Sequence, residues 1–201
     1  MYKRQGVVLF ENSNDEPSIS VRMSEKNAEK QKIARLALPL LKPYRTLFFD
    51  SSSTVSVLAK QFNEQHKTVI STGIQAVTYL SGKENIDVFL PGGFLHYNSN
   101  SVEGSFTVKQ LENYNFDVTV CSCGGITING ATEATMNQCI IKNTVMPHSE
   151  TNILLIDHTK IGKTCAFKIC SLRDFDIIVT DAEPEETLLE YCRKSDITLV
   201  Y

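Results

Sequence analysis

The chain has no Cys-x-x-Cys pair, no Gly-x-x-x-x-Gly-Lys and no Gly-x-Gly-x-x-Gly. The first absence removes the common zinc and dithiol patterns. The other two remove the nucleotide phosphate loop and the dinucleotide fingerprint. No apolar run approaches the ~20 residues that a membrane helix needs. Near the start only Val7 to Phe10 are continuously apolar, too few for a signal-peptide core. An excess of positive charge is missing as well. Net charge is -3, so there is no general attraction to nucleic acid. Repeats of fixed period, long linkers and low-complexity tracts are also lacking. These exclusions lead us to expect a cytoplasmic protein with no membrane contact, no metal and no cofactor.

What is present suits one folded unit. The chain has 201 residues, 42% hydrophobic and 21% charged, enough to bury a full core. Apolar runs recur, each closed by Ser, Thr, Gly or Asp and followed by a helical pattern. Gly6 to Phe10 reads as a short strand, and Ser24 as the cap of a helix over 25–41 that stops before Pro43. Strands follow at 46–50, 67–71, 86–90, 116–123, 152–156, 166–170, 176–180 and 197–200. Helices fall at 53–64, 73–82, 104–114, 133–148 and 184–194, and residues 94–101 read as an Asn- and Ser-rich loop. Continuous apolar strands alternating with helices predict an α/β fold, a three-layer Rossmann-like, mainly parallel sheet with helices on both faces. Phe48, Val69, Phe89, Val120 and Leu155 are its expected buried strand residues. We read residues 1–201 as one domain.

Parallel strands put their C-terminal ends on one edge, where open α/β sheets bind ligands. Four junctions collect there. Asp50-Ser51-Ser52-Ser53-Thr54 enters a helix and offers hydroxyls, backbone N–H donors and the positive end of the helix dipole. The plain alternative is an N-cap cluster. Ser71-Thr72-Gly73 repeats the arrangement, Gly92-Gly93 permits close backbone approach, and Asp157-His158-Thr159-Lys160 places a cation at a strand end. Together they suit a phosphate or another small anion. Glu103, before Gly104, reads either as a helix-start carboxylate or as an acyl-forming nucleophile. The six cysteines are scattered. Cys121 and Cys123 share one strand face, and all six read as buried free thiols.

These junctions, in this order, resemble the C-terminal effector domain of DeoR-family transcriptional repressors. The segment from Glu16-Pro17-Ser18 through Arg22, Asn27, Glu29-Lys30 and Ile33-Ala34 looks like the opening of that domain. Asp50 to Thr54 corresponds to its Asp-x-Gly-Thr-Thr loop, Ser71-Thr72-Gly73 to its Thr-Asn-Ser, and Gly92-Gly93 with Gly104 to its glycines. Asp157 to Lys160 looks like its Asp-x-Ser-Lys, and Val179-Thr180-Asp181 like its closing Ile-Thr-Asp. Ser52, Ser53 and Gly73 depart from the usual pattern. The resemblance implies a fold similar to ribose-5-phosphate isomerases and CoA-transferases, and a homo-oligomer. It implies a phosphorylated sugar or similar small anionic effector, and DNA contact only through an N-terminal winged helix-turn-helix that this chain lacks. The implied effector contacts are Asp50, Ser51, Ser52, Ser53, Thr54, Ser71, Thr72, Gly73, Gly92, Gly93, Gly104 and Lys160.

Three classes of function stay open. Isomerases of this fold carry acidic residues after the strand matching 116–123, but Cys121 to Gly130 has no Asp, Glu or His, and the first carboxylate is Glu133. A CoA-transferase would depend on Glu103 alone. A sensor without catalysis fits the hydroxyl-rich junctions, and a ligand-free oligomerisation scaffold is the third reading.

Overall fold

The computed structural model describes residues 17–201, so the strand read at 6–10 lies outside it. The chain opens with helix α1 (Ile19–Ser24) and helix α2 (Asn27–Ala37), continued by a 3-10 turn at Leu38–Leu41 whose second residue is Pro39. Then come β1 (Thr46–Phe49), α3 (Ser53–Gln61), β2 (Lys67–Ser71), α4 (Ile74–Leu80) and β3 (Ile86–Phe89). The short pair β4 (Phe94–His96) and β5 (Ser101–Glu103) precedes α5 (Ser105–Leu111) and β6 (Phe116–Cys121). Strands β7 (Gly125–Thr127) and β8 (Gly130–Glu133) lead to α6 (Met136–Val145) and β9 (Ser149–Leu155). The chain closes with β10 (Phe167–Cys170), β11 (Ile177–Val179), α7 (Glu186–Lys194) and β12 (Thr198–Val200).

Seven strands form one sheet in the order β12-β11-β9-β6-β1-β2-β3, and every pairing in it is parallel. The alternation of side chains sorts the core into two faces. Leu47 and Phe49 of β1, with Val69, Val118 and Val120, pack against α2 and α3. Phe48 points the other way and joins Ile70, Leu111, Phe116 and Ile141 under α5 and α6. Farther along that second face Cys121, Leu154 and Ile178 pack with Cys139, Leu188 and Cys192 of α6 and α7. Helices thus cover both faces, as expected.

Several local readings are corrected. Phe89 is 46% exposed, because β3 is the sheet's edge strand and its residues alternate between half-buried and exposed. The stretch 94–101 is no plain loop: Phe94, Leu95 and His96 pair antiparallel with Glu103, Val102 and Ser101. The segment read as strand 166–170 leaves the main sheet, since β10 pairs antiparallel with β8 in a three-stranded sheet β10-β8-β7. Ser24 does not cap the long helix. It ends α1, its hydroxyl donates to the Val21 carbonyl, and α2 starts from Lys26 at φ 50.

The edge position of β3 has a measurable consequence. Phe48 is fully buried with its ring centroid 5.5 Å from that of Phe116. Phe48→Ala should therefore lower unfolding stability by about 3–5 kcal/mol, as large-to-small changes of buried aromatics do. Phe89→Ala should cost less than about 1 kcal/mol. Urea unfolding of both variants measures the difference, and equal losses would contradict the strand order.

Candidate functional site

The strand order reverses at β1. On one side it pairs with the next strand in sequence, β2, and on the other with β6, from which four strands and three helices separate it in sequence. Connections therefore leave β1 and β6 in opposite directions, and a crevice opens between their C-terminal ends. The loop after β1 forms one wall of it and the residues after β6 the other. A small cavity of about 20 Å³ lies there, lined by Arg22, Ser51, Ser52, Ser53, Ser99, Ser122, Cys123, Glu133, Gln138, Lys142 and Lys160. That space holds about one water.

Each wall is fixed by a carboxylate. Asp50 is 1% exposed; one oxygen accepts from the Ser52 N–H and the other from the Ser122 N–H, both at 2.9 Å. It ties the two walls together and is not among the residues that line the cavity. Ser52 is the N-cap of α3, its hydroxyl accepting from the Val55 N–H at 3.2 Å. The capping reading and the pocket reading thus both hold for this residue. Gly73 has no room for a side chain, because a Cβ there would sit 2.7 Å from the Ser51 backbone. The bare glycine lets the Ser51 loop settle against the end of β2.

Lys160 is placed by two acids. Asp157 accepts from the Thr159 N–H at 3.1 Å and also from its hydroxyl. Asp181 accepts from the His158 N–H at 2.7 Å and contacts His158 Nδ1 at 2.6 Å. Their turn brings the Lys160 ammonium to the Cys123 carbonyl at 3.0 Å, on the cavity wall. Above the crevice, α1 carries Arg22, another lining residue. The Lys30 ammonium holds α1 down, donating to the carbonyls of Arg22 and Glu25.

Of the expected contacts, the structure brings Ser51, Ser52, Ser53 and Lys160 to the cavity. Thr54 is buried in the first turn of α3, and its hydroxyl has no partner. Ser71 accepts from the Gly73 N–H, while the Thr72 carbonyl accepts from Val102. Both support the wall from behind. The glycines stand apart. Gly92 exchanges hydrogen bonds with Gln110 and accepts from the Thr107 hydroxyl, so it belongs to the α5 contact. Gly93 packs against Thr107 and Glu103, and Gly104 is the exposed N-cap of α5 at φ 104. None of the three lines the cavity.

The sequence reading missed a buried polar layer below the cavity. Lys142 of α6 is 2% exposed, 2.6 Å from Glu133 and 3.6 Å from Asp50. Burial alone would push its ammonium pKa down, but the carboxylates of Glu133 and Asp50 more than offset that and hold it above its ordinary value. Burial likewise pushes Glu133 up, and the Lys142 charge overrides it, so its carboxyl titrates below the usual range. Glu133 is not far from the turn in space. Strands β7 and β8 fold back on each other, and the Gly124 N–H donates to the Thr132 carbonyl.

Gln138 joins the layer to the loop, accepting from the Ser51 hydroxyl and donating to Ser101 and Glu103. Glu103 neither caps α5 nor stands free. Its oxygens accept from Ser99, Ser101, Asn137 and Gln138. Burial raises its pKa, and those four bonds outweigh the burial and hold it low. One signal did exist. Gln138 and Lys142 stand four residues apart on one helix, which puts both on the same side of it, but nothing local adds Glu133, which lies on the preceding strand.

A parallel α/β sheet with a hydroxyl- and cation-lined crevice at its strand reversal defines a small-ligand-binding domain. The chain belongs to the family of DeoR C terminal sensor domains, which matches residues 25–182. It is 29% identical over 197 residues to the HTH-type transcriptional repressor GlcR of Bacillus subtilis, covering 98% of this chain and 76% of that protein. It is 30% identical over 198 residues to the deoxyribose operon repressor of Escherichia coli, covering 97% of this chain and 78% of that protein. The fold overlays on eIF2B beta from Chaetomium thermophilum with a TM-score of 0.56 at 13% identity, covering 84% of this chain and 54% of that one. Among the described residues no helix is long and apolar enough to cross a membrane.

The buried ion cluster sets a pH signature. Glu133 is lowered in the fold, so its contribution to stability is present above its unfolded value of 4.5 and fades as pH falls through the folded value. Lys142 is raised in the fold, so its contribution is complete below 10.5 and fades only as pH climbs toward its folded value. Lys142→Met leaves Asp50 and Glu133 facing each other without a cation and should cost about 3–5 kcal/mol. Thermal melts should show the wild type losing stability below about pH 4.5, whereas the variant recovers part of its loss there as Glu133 takes a proton.

Proposed function

We propose that this chain is the effector-sensing part of a transcriptional repressor, and that the effector is a phosphorylated sugar or a similar small anion. The phosphate would lie over the first turn of α3, on the backbone N–H groups of Ser53 and Thr54 and the hydroxyls of Ser52 and Ser53. Lys160 would supply the counter-charge. The observation that carries this reading is Ser122. Ser122 is 1% exposed and its buried hydroxyl has no hydrogen-bond partner, yet the residue lines the cavity opposite the α3 N-terminus. A buried hydroxyl without a partner costs free energy that a bound oxyanion would restore. The nine-residue helix adds the positive end of its dipole.

The relatives' names supply the biological side. They are an HTH-type repressor and an operon repressor, and each is longer than the stretch matched here. DNA binding would belong to an N-terminal domain upstream of the sensor, and effector binding would control it. A homo-oligomer fits the exposed apolar side chains Phe94, Leu95, Tyr97 and Phe106 on and beside the β4–β5 pair.

A second reading, proton transfer on a bound sugar, has one observation in its favour: Glu133 lines the cavity as a carboxylate. Its pairing with Lys142 makes it a weak base, since a carboxylate held low gives little driving force for proton abstraction. Glu103, saturated by four donors, is a poor nucleophile for acyl transfer.

Sugar phosphates added to the domain should raise its melting temperature without being converted. A lysine–phosphate contact is worth roughly 1.5–3 kcal/mol, so Lys160→Ala should weaken binding about 10- to 150-fold by calorimetry while leaving the fold intact. Unchanged affinity in that variant would move the phosphate elsewhere, and turnover of the sugar would establish the enzyme reading instead.

A further inference from the structure

The cavity is only the inner end of a larger space. Arg22, Ser53 and Lys160 line both it and an outer cleft of about 1110 Å³. A site with room for about one water cannot enclose a whole sugar phosphate. The end group would reach one oxygen into the inner cavity, and the rest of the molecule must lie in the outer cleft. The cleft's charged lining therefore reports on the remainder of the effector.

That lining is unbalanced. Among the described residues Lys26, Lys30, Lys160 and Lys163 face it, against Glu25 and Asp157. Asp157 already accepts two hydrogen bonds from Thr159. Lys26 sits 3.8 Å from Glu29 in an exposed pair of little strength. Among the described residues neither Lys160 nor Lys163 takes part in an ion pair. The crowding of like charge is felt at Lys30, whose pKa is pushed down by burial first and by the Lys160 charge next. Sugar hydroxyls are usually met by amides, which accept and donate, and by carboxylates, which accept; ammonium groups only donate and carry charge. One terminal phosphate, met by Lys160 and the α3 N-terminus, leaves Lys163 without an ion-pair partner among the described residues and Lys26 with only its exposed pair to Glu29.

We propose that the effector carries a second anionic group, phosphate or carboxylate, held in the outer cleft by Lys26 and Lys163. The effector class is then a sugar bisphosphate or a phosphorylated sugar acid, in place of a sugar monophosphate with a neutral tail. This inference rests on the phosphate site proposed above. Lys26 lies between α1 and α2, and Lys163 follows Gly162, whose φ of 82 turns the chain after the Lys160 loop. Both are exposed, so their side chains can close on a ligand without disturbing the core.

The test is calorimetry at fixed ionic strength with four probes: inorganic phosphate, fructose monophosphate, fructose bisphosphate and phosphogluconate. The bisphosphate or the phosphorylated acid should bind about 10-fold or more tighter than the monophosphate, as one additional charge-assisted contact gives. Whichever binds tighter identifies the second group. Its advantage should shrink with added salt, because the outer lysines are exposed. In the double variant Lys26→Gln, Lys163→Gln the advantage should vanish while the monophosphate affinity and the unliganded melting temperature stay unchanged. If both doubly charged probes bind no tighter than the monophosphate, or keep their advantage in the double variant, the inference is wrong and the inner phosphate site stands. If no probe binds at all, the inner site is wrong and the inference falls with it.

Discussion

One buried ammonium organises the binding end of this domain. Lys142 rises from α6 into a layer where solvent does not reach, and it meets one carboxylate from the end of β1 and another from β8. Three separate pieces of chain are thereby fixed to a common point. Asp50, held in part by that charge, spends its hydrogen bonds on the two crevice walls. Removing the cation would leave two anions in a medium that tolerates neither. The hydroxyl surface of the pocket is in this sense an outer layer laid over an ionic one. Its shape follows from buried charges, two of which, Glu133 and Lys142, also reach the cavity wall.

The layout of strands and helices was legible because apolar runs of strand length and the residues that end them are local signals. Asp50, Ser71 and Asp157 mark real strand ends, and the two faces of β1 follow from simple alternation. Phe89 was misread because nothing in the residues near it says that β3 is last in the sheet. Strand order is a long-range fact. The same limit hid Glu133 and Ser122. Distance along the chain made Glu133 look remote, and only the β7–β8 pairing shows that it returns. Ser122 became visible as a wall of the site once β6 was known to lie beside β1.

The glycines teach a related lesson. Gly92 and Gly93 follow a strand end, as a ligand-cradling turn would, and that much was readable. Their strand is at the sheet's margin, away from the reversal, so the backbone freedom there serves the approach of α5. Gly73, by contrast, matters for what it lacks. The space its missing side chain leaves is filled by the loop that presents Ser51 and Ser52. A hydroxyl cluster at 51–53 and a glycine at 73 are therefore two parts of one arrangement, though 20 residues apart along the chain.

The short helix α1 roofs the crevice with Arg22, yet it has no buried residue of its own. It is moored by polar contacts: the Lys30 ammonium at its end, and the Ile19 N–H, which donates to the Asn98 carbonyl at 2.7 Å in the turn between β4 and β5. Met23 gives α1 a half-buried apolar contact with the core, and the rest of its attachment is hydrogen bonds that can be exchanged for bonds to water. The residues ahead of Pro17 are joined to this same helix. Any displacement of α1 from the crevice would therefore also move Pro17, whose carbonyl accepts from Arg22 and which lines the outer cleft.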